Sequence, residues 1–333
     1  MTPMIRRKSP ARCPALLTAV LGALLGAIAV PAPADAQDKL KIAIGGRGAW
    51  ENSASEIARA HGLFKKHGLD VEILWTEGTG ETMQAMIAGS VDMAVAVGTN
   101  GILSAYTKGV PVRIVGSTMT GVDDMFWYAK TGSPVKSGKD MAGRTVAFSS
   151  RGASTHAVVL GFKKTFGIDF KDIPMGSPVA TMTQAMTGQV EVGWTVVPLG
   201  LKELDDGSIQ MVARANEVPE LRNQSVRLMA VMARTLESRR DVLIRYVRAY
   251  REAIDVLYGG PDGIKAYAAY SGVAEKHAVT VRDKFTAKAS LAPDRFEGLD
   301  LMMADAVTFK FIAAPLRPEQ VKELVAIPLE PRP

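Results

Sequence analysis

Residues 146–164, VAFSSRGASTHAVVLGFKK, run from an apolar stretch of strand length through a turn of small residues into a helical pattern. A helix start leaves backbone N–H groups unpaired and carries partial positive charge, so such a turn can seat an anion. The segment has a counterpart about a hundred residues earlier. From Lys41 the chain reads KIAIGGRGAWENSASEIARAHGLFKKHGLDVEI, and from Thr145 it reads TVAFSSRGASTHAVVLGFKKTFGIDFKDI. Each gives a strand, a turn containing Arg-Gly-Ala, a helix, a Lys-Lys pair, and Gly-(Leu/Ile)-Asp leading into the next strand. The pairing continues with TMQAMIAGSVDMAVAV (82–97) and TQAMTGQVEVGWTVV (183–197), each a short amphipathic helix, a Gly stop and an apolar strand.

Shared order at a near-constant offset predicts an α/β fold of two lobes, each with a mostly parallel sheet flanked by helices. Ligands of such sheets bind beyond the carboxyl ends of the strands. Four turns are therefore expected to converge between the lobes: 45–50, 98–101, 149–155 and 194–198.

The length of 333 residues suits two lobes better than one small core. Residues 1–36 read as a secretory signal peptide. Arg6, Arg7, Lys8 and Arg12 precede the run ALLTAVLGALLGAIAV, and Ala34-Asp35-Ala36 is a small-residue cleavage site. The single cysteine, Cys13, lies inside this leader, which excludes disulfide, Cys–metal and Cys–nucleophile chemistry from the mature chain. Removing four basic residues and Asp35 lowers the formal charge from +6 to +3, too weak an excess for nucleic acid. No metal or cofactor is expected, since the four histidines show no ligand spacing.

The runs EIARAHGLFKKHGLDVEI, GTGETMQAMIAGSVDMAVA, GVPVRIVGS and GSPVKSGKDMAGRTVAFSSRGAS resemble the periplasmic solute-binding proteins of nitrate/sulfonate/taurine-type ABC transporters. The resemblance extends from Leu40 to about Gly260. It implies the type II two-lobed binding fold, with 37–124 and 227–333 in lobe I and 125–226 in lobe II. The expected crossings are 117–125 and 227–232. It also implies a periplasmic monomer that hands a small anion to a membrane permease with its ATPase.

In SSRGAST, hydroxyls and amides around Gly152 and Ala153 could form an oxyanion cradle with Arg151; an ordinary capped turn with an exposed arginine is the alternative. Ser150 and Ser154 belong to the same cradle. In the first turn, Arg47 could neutralise an anion and Trp50 could wall its apolar part, or Arg47 could be solvated and Trp50 pack over the helix start. Thr99 and Asn100 end one lobe I strand, and Trp194 and Thr195 are their lobe II counterparts. Asp123 and Asp124 sit near a crossing, where hinge hydrogen bonding is the simpler role. The helix carrying Leu243, Val247, Tyr250, Ile254 and Leu257 on one face is expected to start at a Ser238 cap.

The reading is an exported receptor, not an enzyme, that captures a sulfonate, carboxylate or nitrate-like anion. Its rivals are a ligand sensor for a membrane receptor, a same-fold enzyme, and a binder of a cation or a neutral thiamine-precursor pyrimidine. The last would need Asp123, Asp124 or Glu51 to point into the cleft.

Overall fold

The computed structural model describes residues 37–330; the expected leader and Cys13 lie outside them. The chain begins with β1 (Asp38–Gly45), α1 (Ala54–Ala60), α2 (Leu63–Lys66), β2 (Leu69–Thr76), α3 (Thr79–Ile87) and β3 (Met93–Gly98). It continues through α4 (Thr99–Thr107) into β4 (Val112–Thr120). It then crosses to a second lobe containing β5 (Met125–Lys130), β6 (Thr145–Phe148), α5 (Ser154–Phe166), β7 (Lys171–Pro174), α6 (Pro178–Met186), β8 (Gly193–Val196), α7 (Leu201–Asp205) and β9 (Ile209–Arg214). A return crossing leads to β10 (Ser225–Met232), then α8 (Ala233–Tyr258), α9 (Pro261–Ser271), α10 (Glu275–Lys284), α11 (Leu299–Thr308) and α12 (Pro318–Leu324).

The first sheet has the order β2-β1-β3-β10-β4, with β10 antiparallel to both its neighbours. In the second lobe β5 lies antiparallel between β8 and β9, and β6 pairs in parallel with β7. A parallel bridge between Val146 and Val192 joins the two groups, giving the sequence β7-β6-β8-β5-β9. Each lobe is thus a set of co-directional strands with one reversed strand inserted next to the outermost.

The repeat seen in the sequence extends to single hydrogen bonds. Asp92 Oδ2 accepts from the Lys41 N–H at 2.8 Å, and Glu191 Oε2 accepts from the Thr145 N–H at 2.9 Å. Both carboxylates stand just before a strand, β3 or β8, and tie that end to the neighbouring β1 or β6, at the opposite end of the strands from the cleft.

The return crossing is 215–224; residues 227–232, expected to cross, form most of the buried reversed strand instead. A largely apolar run reads the same whether it bridges lobes or sits inside a sheet. The crossings are tied together, because the Gly121 N–H donates to Gln224 O at 2.9 Å and Asn216 Nδ2 donates to Asp123 Oδ1 at 2.7 Å. Helix α8 begins at Ala233, with a non-helical break at Arg239. Ser238 is not its cap, since its hydroxyl donates back to Arg234 O. The stripe of Leu243, Val247, Tyr250, Ile254 and Leu257 is buried as the spacing requires. It contributes on the order of 1.5–3 kcal/mol per large side chain.

The lobes touch through backbone. The Gly101 N–H donates to Gly152 O across the gap at 3.0 Å. A Cβ on Gly98 would fall 2.4 Å from Gly152 O and 2.7 Å from Ala153 Cα, so this approach requires glycine. Among the described residues no helix is long and apolar enough to cross a membrane.

Candidate functional site

The ends of β1, β2, β3, β6 and β8 surround a cavity of about 60 Å³ between the lobes. Lobe I supplies Glu51 and Asn52 from the turn after β1, residues 77–79 from the turn after β2, and Arg227 from β10. Lobe II supplies Ser149, Ala153, Ser154 and Thr155 around the start of α5, then Pro178 and Trp194. Such a volume holds only a few water-sized groups. A wider hollow of about 690 Å³ adjoins at Pro178, between α6, α7 and the α9–α10 junction.

The floor is a buried charged triad. Arg227 Nη1 donates to Glu51 Oε1 at 2.6 Å and to Asp124 Oδ2 at 2.7 Å, while Nη2 donates to Asp124 Oδ1 at 2.6 Å. Arg227 and Asp124 thus form the two-pronged pairing that guanidinium geometry favours. Burial pushes the Glu51 carboxyl up to about 7, a direction Asp124 reinforces and the Arg227 charge opposes. For Arg227 itself burial favours the neutral form, but the carboxylates of Asp124 and Glu51 outweigh it and keep the guanidinium charged.

Four buried polar atoms on residues that line the cavity have no hydrogen-bond partner among the described residues: Glu51 Oε2, Asn52 Oδ1 and Arg227 Nε from lobe I, and Trp194 Nε1 from lobe II. Glu51 is 2% exposed, Asn52 5% and Trp194 6%. The Asn52 amide is oriented by its other end, since Nδ2 donates to Gly45 O at 2.6 Å and Gly46 O at 3.2 Å. Its oxygen therefore faces away from those carbonyls as an unused acceptor. A buried polar group left unpaired costs about 1–3 kcal/mol, so four on one cavity mark a surface built for a partner.

Of the residues singled out from sequence, Ala153, Ser154 and Trp194 line this cavity. Ser150 is close by, its buried Oγ without a partner and facing Gly78. Arg47 and Arg151 do not line it; both are exposed. A long charged side chain next to glycine swings out to water when no fixed anion holds it. Trp50 is fully buried, donates from Nε1 to Tyr258 Oη at 3.1 Å, and packs on Tyr258 and Tyr267, so it supports the turn from behind. Thr99 Oγ1 donates to Ser225 O; Thr99, Asn100 and Gly152 line a separate gap of about 10 Å³ behind the cavity. Thr195 donates to Leu199 O and faces the wider hollow.

Asp123 serves the hinge, whereas Asp124 and Glu51 form the triad at the cleft. Sequence reasoning missed Arg227, Asn52 and the turns after β2 and β7. One signal was available for Arg227: it is a lone charge in the otherwise apolar run LMAVM and its neighbours, and buried arginines occur almost only when paired. His156 is stacked on Phe148 at 4.3 Å, with Nδ1 accepting from the Gly152 N–H, and burial pushes its pKa down to about 4. It supports the α5 turn as a neutral ring.

Residues 54–264 match the sequence model of the family described as NMT1/THI5 like. Among solved structures, the chain is similar to the alkanesulfonate-binding protein SsuA from Xanthomonas axonopodis pv. citri bound to MOPS, with TM-score 0.72 and 18% identity over 87% of this chain and 99% of that one. It is similar to the periplasmic nitrate-binding protein NrtA from Synechocystis PCC 6803, with TM-score 0.68 and 13% identity over 88% and 87%. It is also similar to the desulfurization enzyme DszB, with TM-score 0.60 and 16% identity over 88% and 97%. No curated protein matches the sequence. At these identities the structural likeness establishes the fold, that of two-lobed periplasmic binding proteins.

Proposed function

This chain belongs to the NMT1/THI5 like family, and we propose that it is the exported solute-binding component of an ABC importer. The observation that carries the reading is the set of unpaired buried polar atoms contributed to one cavity by both lobes: Glu51, Asn52 and Arg227 from one, Trp194 from the other. A solute that satisfies both sets is held more tightly when the lobes are closed, and only such differential contacts can drive closure. The closed form is then what a permease with its ATPase recognises in the periplasm.

The anionic end expected of the solute, in keeping with the sulfonate- and nitrate-binding neighbours, would sit at the first turn of α5, where Ser154 and Thr155 face the cavity. The two arginines expected to neutralise it are out in solvent. This capture needs no bond chemistry, so the chain acts as a receptor rather than as an enzyme such as DszB.

The test is a thermal-shift screen of residues 37–333 against alkyl sulfonates, carboxylates, nitrate, amides, amines and pyrimidines. A ligand at a hundred times its Kd stabilises the native state by about 2.7 kcal/mol. A saturable shift that is lost in Trp194→Ala supports capture in this cavity. The absence of any shift across the screen, or turnover of a bound compound, overturns the reading.

A further inference from the structure

We infer that the solute presents N–H donors to Glu51 Oε2 and Asn52 Oδ1 and an acceptor to Trp194 Nε1, entering as an amide-, amidine- or amine-bearing molecule rather than as a bare oxyanion. This rests on the solute-capture reading and specifies the polarity of its site. Two of the three free atoms on the lobe I wall, Glu51 Oε2 and Asn52 Oδ1, are acceptors, each forced into that role by its partners; the third, Arg227 Nε, is a donor. Arg227 can only donate, so it takes Glu51 Oε1 and leaves Oε2 unpaired. The carbonyls of Gly45 and Gly46 can only accept, so they take the Asn52 NH₂ and leave Oδ1.

The charges agree with the hydrogen bonding. The guanidinium that lines the cavity among the described residues is paired through both Nη atoms with two carboxylates, Asp124 and Glu51, with its Nε–H left unpaired, and Glu77 adds a further carboxylate to the lining. An oxyanion against this wall gains the Arg227 Nε–H, but it meets carboxylate oxygen beside a cation whose charge those carboxylates already balance, and it leaves Glu51 Oε2 and Asn52 Oδ1 without a donor. A nitrogen donor meets two ready acceptors in a low-dielectric site, where charge-assisted hydrogen bonds are strongest. On the opposite wall the single unpaired indole N–H calls for an acceptor atom on the same solute.

Replacing Glu51 by Gln reverses this polarity. The Gln oxygen must face Arg227, which turns its NH₂ into the cavity, so an acceptor becomes a donor. The experiment uses matched pairs that differ only at the nitrogen: benzoate with benzamide and benzamidine, butyrate with butyramide, and ethanesulfonate with 2-aminoethanesulfonate. Binding of each to residues 37–333 and to Glu51→Gln is measured by titration calorimetry.

The expected result is that the N–H members bind at least tenfold more tightly than their partners, and that Glu51→Gln removes the preference. A second measurement needs no variant. Binding of the N–H members should strengthen by up to roughly tenfold from pH 6 to 8, as the Glu51 carboxyl with its pKa near 7 becomes charged. Around Glu51 stand Arg227 on β10, Asp124 on the crossing, Glu77 on the lining, Tyr250 on α8, and Tyr267 and Tyr270 on α9. The arginine and the three tyrosines are all shifted upward, away from that window. If the N–H-free members bind as well or better, or weaken with rising pH while the N–H members do not strengthen, the inference is overturned and capture stands. If no member binds, the capture reading falls and this inference with it.

Discussion

Glu51→Gln should make the empty protein more stable at pH 8 than the native sequence, although it removes a partner of a buried arginine. The carboxyl is fully buried, and its pKa rises from the ordinary 4.5 to about 7. A raised carboxyl pKa means that the folded state holds its proton over the interval in which the unfolded chain has lost it. Stability therefore falls as pH rises through that interval. The cost is absent below about 4.5 and complete above about 7. At 1.36 kcal/mol per unit, the 2.5-unit shift amounts to about 3 kcal/mol. Gln keeps an oxygen for Arg227 Nη1 and is never ionised, while Arg227 retains both hydrogen bonds to Asp124. Urea unfolding followed by circular dichroism, on both proteins from pH 4.5 to 8.5, measures the difference directly. The difference curve should climb by about 3 kcal/mol in favour of the variant between pH 4.5 and 8.5. A flat curve would show that the carboxyl is hydrated in solution. A curve falling toward high pH would show that attraction to Arg227 outweighs burial.

Three further outcomes follow from the same geometry. Arg227→Met strands Asp124 and Glu51 in the interior and should cost about 3–5 kcal/mol in urea unfolding at pH 8; a loss under 1 kcal/mol would mean that water reaches the triad. Gly98→Ala has an ordinary backbone angle (φ −65°) but no room against Gly152 O and Ala153 Cα. Ligand affinity should fall and small-angle scattering should show a more open particle with solute present, while unfolding of the empty protein changes little. Asp205, held down to about 2 by hydrogen bonds from His277 and Lys276, ties α7 to α10. Asp205→Asn should weaken solute binding at low salt, with the difference shrinking at high salt. In the native protein this tie is intact above about pH 3.8 and is lost as pH falls through about 2.

The repeat in the sequence was enough to locate two lobes and most of the turns between them, because strand, turn and helix periods survive in any local window. The cleft residues were legible only in part. Ser154 and Trp194 follow from their places after β6 and on β8, but the direction of a side chain on a glycine-rich turn is decided by partners distant in sequence. Arg47 and Arg151 look like ligands for an anion in the chain alone, yet nothing fixed holds either one inward. Arg227 does hold a position, and what holds it comes from Glu51 and Asp124, 176 and 103 residues away. Trp50 illustrates the opposite case: its aromatic neighbours Tyr258 and Tyr267 lie on the late helices, so its role as a prop was invisible until those helices were in place.

The insertion of one reversed strand into each sheet has an unequal outcome for a chain made from its amino end. In the second lobe the reversed strand, β5, is synthesised first, and the later strands can add on either side of it. In the first lobe it is β10, the last strand among the described residues, and it fits between β3 and β4. Until residue 232 has emerged, those two strands present facing edges with no partner, the kind of surface that pairs with other chains. The second lobe can close its sheet while the first waits. A holding chaperone should therefore engage β3 and β4 of the first lobe longest, and truncation before Ser225 should leave the second lobe, not the first, as the part that resists protease.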